Sequence, residues 1–125
     1  MSYGPEKLQT LDLAVLASLR ELQETGEPDI VSEIGGLFLE HAPKKLSAIC
    51  DAAEREDARA LQMAAHSLKS SSAYVGAMKL SALCKELEEM GRSGSTERAA
   101  EKARDLMAEF LRAKAALKEA MQRPG

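Results

Sequence analysis

The chain has no tryptophan and four other aromatic residues, Tyr3, Phe38, Tyr74 and Phe110. A core must therefore come from Leu, Ile, Val, Met and Ala, most of which are good helix formers. No alternating strand pattern, internal repeat or low-complexity tract occurs, which leaves an all-α fold as the expectation. No apolar run reaches the roughly 20 residues that cross a bilayer. The polar start Met1-Ser2-Tyr3-Gly4-Pro5 lacks the apolar region of a signal peptide. These two absences predict a cytoplasmic protein with no membrane association. Neither sign of charge dominates: 17 basic and 20 acidic residues are mixed along the chain for a formal net charge of -3. That balance offers no phosphate-backbone groove, so nucleic acid is not an expected partner. Cysteine is limited to Cys50 and Cys84. They lack metal-knuckle spacing and fall at apolar-periodic positions, the pattern of buried free thiols.

What is present suits one compact domain. With 125 residues and 45% hydrophobic content, the chain can bury one core and is too short for two ordinary domains, so residues 1–125 are read as a single unit. Leucines from Leu11 to Leu22 share one helical face, with Thr10 as a candidate cap, giving an N-terminal helix over 10–24. Gly26 and Pro28 break it. Asp29 is placed to cap a second helix with a stripe through Val31, Ile34, Phe38, Ala42, Ile49 and Ala53. Pro43 is expected to kink or interrupt that helix. Asp57 caps a third, from about Ala58 to Val75, which Gly76 ends. A fourth starts near Ala77, carries Leu80, Leu83, Cys84 and Leu87, and is expected to stop at Gly91. After an Arg92–Ser95 loop, Ser95 or Thr96 caps a last helix with Ala99, Ala103, Leu106, Phe110, Ala113, Leu117 and Met121 on one stripe. Short loops between amphipathic helices predict an antiparallel four-helix bundle over 29–122 with an additional N-terminal helix.

One residue of the third helix departs from the core pattern. At about 100° per residue, Leu61, Ala64, Leu68 and Val75 fall opposite His66, whereas Arg59, Gln62, Met63, Lys69, Ser70 and Ala73 lie within about 60° of it. His66 is thus expected to face water, which argues against a histidine satisfied inside the core. An idle surface histidine remains the plain alternative. Its neighbours favour chemistry: Lys69, at i+3, brings an ammonium beside the imidazole, and Ser70 and Ala73 are short. A nucleophile that must enter another protein's active site needs that bare approach and a cation for the arriving charge. Met63 reads either as an exposed docking contact or as a gap-filler at the core edge.

The run His66-Ser67-Leu68-Lys69-Ser70-Ser71-Ser72-Ala73-Tyr74-Val75-Gly76-Ala77, followed by Leu80, Leu83-Cys84 and Leu87-Glu88, resembles a histidine phosphotransfer (HPt) domain of bacterial two-component phosphorelays. The stretch Phe38-Leu39-Glu40-His41-Ala42-Pro43, with Leu46 and Ile49, resembles the second main helix of that family. The main departure is Ser70, where the family usually has glycine after the lysine. The resemblance implies that His66 is the phosphorylated nucleophile, that Lys69 supports the phosphoryl group, and that Ser70 takes the place of the small contact residue. Gln62, Met63 and Ala73 complete the expected partner surface, and Glu88 and Arg92 border it.

The function implied is relay of a phosphoryl group between aspartates of receiver domains, by a monomeric carrier without turnover chemistry of its own. Partners would be response-regulator receiver domains and a hybrid sensor kinase. The chain itself would need no cofactor or metal, Mg²⁺ coming from the receiver. Other readings are a non-catalytic helical adaptor bundle and the histidine-bearing domain of a chemotaxis-type kinase. A di-iron bundle would need Glu three residues before each helical His. Phe38 and Met63 precede His41 and His66 instead.

Overall fold

The computed structural model describes residues 8–123, which leaves Tyr3 and the ends of the expected 1–125 unit outside it. Among the described residues five helices follow one another: α1 (Leu13–Glu21), α2 (Ile30–Glu54), α3 (Ala58–Tyr74), α4 (Met78–Ser93) and α5 (Ala99–Gln122). No strand occurs among the described residues. The α2–α3 and α3–α4 connections are a few residues long, so each helix turns back along its predecessor. α3 packs on α2 and α4, and α5 closes the bundle against the same two helices. α1 lies outside, against α2, with Leu16 as its buried residue.

The apolar stripes meet in the centre. Val31, Phe38, Ala42 and Ile49 of α2, Leu61 and Leu68 of α3, Leu80, Cys84 and Leu87 of α4, and Leu106, Phe110 and Leu117 of α5 are buried in one cluster. Ile34 and Met121 sit at its edge. Phe38 and Phe110 meet in a tilted pair with centroids 6.2 Å apart. Few aromatics suffice because small residues such as Ala52, Ala65, Ala103 and Ala113 let the helices approach closely.

Several helix ends differ from the sequence expectation. α1 is shorter than 10–24, and Asp12 rather than Thr10 caps it, its carboxylate accepting the Ala14 N–H at 3.0 Å. The cause is tertiary: the Asp12 N–H donates to the Gly76 carbonyl at 2.7 Å, fixing where the helix can begin. Pro43 does not interrupt α2, which continues for 25 residues. Pro43 is exposed, while Phe38, Ala42 and Leu46 hold the opposite face in the core. Gly91 does not stop α4. It lies within the helix, and the left-handed residue after the helix is Gly94, at φ 78°. Arg92 and Ser93 are accordingly helical, not loop. Neither Ser95 nor Thr96 caps α5 through its side chain; Arg98 is at the cap, and the Thr96 carbonyl accepts the Ala99 N–H at 3.0 Å.

Asp57 caps α3 as expected, accepting the Ala60 N–H at 3.1 Å. Asp29 occupies the cap position of α2 without capping it. Its carboxylate instead binds Arg20, at 3.1 and 3.2 Å, and the Ser32 hydroxyl at 3.0 Å. The Arg20 guanidinium holds the Asp29 carboxyl below its usual range. Arg20 also donates to the Arg123 carbonyl at 3.0 Å, so one side chain ties α1 to the start of α2 and the end of α5.

Candidate functional site

α3 has a buried side, Leu61, Ala65, Leu68 and Ser72, and its opposite side carries His66, whose side chain is 62% exposed. The neighbours arrange themselves as the helical phase predicts. Ser70 is exposed, Ala73 and Gln62 are half-buried, and Met63 is 64% exposed. Met63 is therefore a surface residue and not a core gap-filler.

What the sequence left at the border becomes the centre of the site. Glu88 of α4 is 5% exposed at its side chain, with Oε2 2.7 Å from His66 Nδ1 and Oε1 2.5 Å from Lys69 Nζ. The Lys69 ammonium first, and the His66 ring second, hold the Glu88 carboxyl below its ordinary value against the opposing effect of burial. An ionised carboxylate can only accept hydrogen bonds, so the Nδ1 facing it carries the proton. In the neutral ring, the lone pair then lies on Nε2, which points away from Glu88.

Gly91 makes this juxtaposition possible. A Cβ there would come within 2.6 Å of both the Ala58 carbonyl oxygen and the Gln62 nitrogen. With no side chain at Gly91, α4 presses on α3 one turn beyond Glu88, bringing the carboxylate beneath the imidazole. A signal for Glu88 was present in the sequence, since it extends the stripe Leu80, Leu83, Cys84, Leu87. An acid at a core-facing position needs a partner.

Lys69 is beside His66, as expected, but its ammonium rests on Glu88. Arg92 lies on the far side, with Nη2 3.8 Å from Glu88 Oε2 and Nη1 2.5 Å from Glu89 Oε1. Arg59, Gln62, Met63, His66, Glu88 and Arg92 line a shallow cleft between α3 and α4. On the other flank, Ser70 borders an apolar groove between α2 and α3 formed by Leu37, Phe38, Tyr74 and Val75 and edged by His41, Lys44 and Lys45. Leu37 and Tyr74 are more than half exposed. Sequence reasoning missed this groove because neither residue lies on its helix's main stripe. Beneath the site, burial pushes the Cys84 thiol up to about 12, so it is no competing nucleophile at neutral pH. No group of three or more His, Cys, Asp or Glu residues that could hold a metal occurs among the described residues. Nor is any helix there long and apolar enough to cross a membrane.

The fold and site together define a helical bundle that presents one histidine, oriented from behind by a buried carboxylate. The Hpt domain family profile matches residues 33–123. The chain belongs to the Hpt domain family. Among solved structures it is similar to histidine-containing phosphotransfer protein B (HptB) of Pseudomonas aeruginosa PAO1, with 34% identity and a TM-score of 0.82 over 93% of this chain and 97% of that one. It is also similar to histidine-containing phosphotransfer proteins 4 and 2 of Arabidopsis thaliana. These are 33% identical over 63% of this chain and 36% identical over 57%. The aligned regions span 64% and 47% of those two relatives.

Proposed function

We propose that this chain carries a phosphoryl group between aspartates of receiver domains, with His66 as the residue that holds it. The observation that carries the reading is the geometry at His66: Nδ1 is held by a buried carboxylate at 2.7 Å while the ring is mostly exposed. An idle surface histidine has no need of such a partner. In the proposed step the Nε2 lone pair attacks the phosphorus of an aspartyl phosphate. The P–O bond breaks, the receiver's carboxylate departs, and the ring becomes an imidazolium whose Nδ1–H remains on Glu88. The reverse step returns the phosphoryl group to a second aspartate.

Positioning and electrostatics dominate such transfers. The receiver is the source of Mg²⁺ in this scheme, because Glu88, the carboxylate at the site, is already engaged by His66 and Lys69. Met63, Gln62, Ser70 and Ala73 surround the histidine on α3, and the short side chains of Ser70 and Ala73 leave room for a partner to approach it. Leu37 and Tyr74 extend an apolar contact along the same face, and Lys44 and Lys45 border it with positive charge, an arrangement suited to a transient acidic partner. The chain then acts as a cytoplasmic monomer that meets response regulators and a hybrid kinase, supplying no turnover chemistry itself.

Incubation with a phosphorylated receiver should label the chain in an acid-labile, base-stable form, and His66→Gln should abolish the label. Persistence of label in that variant would remove His66 from the mechanism.

A further inference from the structure

Three positively charged or proton-donating groups surround one buried carboxylate. Glu88 receives His66 Nδ1–H and Lys69 Nζ directly, and Arg92 waits at 3.8 Å, held by Glu89. In this arrangement the Lys69 charge is already neutralised, so it is not available to a phosphoryl group on Nε2. For Lys69 to turn toward such a group, Glu88 Oε1 must lose its partner in a site that is 5% exposed. A buried carboxylate stripped of a cation is strongly disfavoured. The Arg92–Glu89 pair, with both side chains more than half exposed, is weak and easily given up. The guanidinium also presents a fork of donors wide enough to span both Glu88 oxygens.

We propose that Arg92 is a positioning residue that closes on Glu88 as Lys69 leaves it for the phosphoryl oxygens. This rests on His66 being the phosphorylated residue. Arg92 does not touch the phosphoryl group; it acts by freeing Lys69. All three side chains keep their protons through the exchange. The covalent change is confined to the bond formed at Nε2 and the bond broken to the donor.

The test uses phosphoramidate, a small donor that needs no docked protein. The His66 Nε2–P bond forms as the donor's P–N bond breaks, and ammonia leaves. Uptake rates are measured on the 125-residue chain for the wild type, His66→Gln, Arg92→Ala, Arg92→Lys, Glu88→Gln and the Arg92→Ala/Glu88→Gln double variant. Arg92→Ala should slow uptake by about tenfold, the scale of coupling between groups in one ionic network. Arg92→Lys should restore most of the rate. In the Glu88→Gln background, where no buried charge needs a replacement cation, Arg92→Ala should cause no further loss. A wild-type rate in Arg92→Ala, or the same fold loss in both backgrounds, would overturn the proposal while leaving His66 as the carrier. Absence of label in the wild type, or label that survives His66→Gln, would instead overturn the underlying reading and this one with it.

Discussion

Glu88 concentrates most of the physical tension at the residue scale. It is buried, it bridges two helices, and it fixes which imidazole nitrogen faces outward. Its depressed folded pKa also links it to stability. The stabilisation is fully present above the ordinary glutamate value of 4.5 and is lost as pH falls through the lower folded value. Urea midpoints followed from pH 7 to pH 3 should therefore fall more steeply below pH 4.5 in the wild type than in Glu88→Gln. Parallel curves would mean that the carboxylate is no better stabilised in the fold than in the unfolded chain.

Close approach of α3 and α4 matters most at the scale of elements, because the site is built across that contact. Gly91 and Gly76 serve it in different ways. Gly76, at φ 83°, reverses the chain between the two helices, and a Cβ there would meet the Asp12 carbonyl oxygen at 2.7 Å. Gly91 lets the helices touch where a Cβ would strike backbone atoms of Ala58 and Gln62. Backbone cannot rotate aside as a side chain can, so Gly91→Ala should cost about 1–3 kcal/mol by overpacking. It should also lengthen the His66–Glu88 contact and slow phosphoryl uptake by His66. Denaturant unfolding and phosphoramidate labelling measure the two effects. Loss of stability with full labelling would show that the carboxylate does not need this close packing.

For the whole molecule, α1 is the element least committed to the core, with one buried residue and a polar clasp at Arg20. The clasp is partly exposed, so Arg20→Ala should lower global stability by about 1 kcal/mol or less. Its larger effect should be local: faster amide exchange throughout α1 with unchanged protection in α3 and α4. Equal loss of protection in all helices would instead make α1 part of a single cooperative unit.

Much of this molecule was legible from its residues, because helical period and phase are local properties. The stripes through Phe38, Leu106 and Leu117 identified the bundle, and the wheel around His66 identified an exposed histidine with Lys69 beside it and short residues behind. Helix ends were less legible wherever a distant group competes for them. Asp12 is fixed by Gly76, Asp29 is drawn away from its cap by Arg20, and the glycine of Gly91 serves packing instead of termination. Only tertiary structure paired Glu88 with His66 and Lys69. That pairing depends on how closely α4 approaches α3, and so on a contact between backbones that no single helix's periodicity encodes.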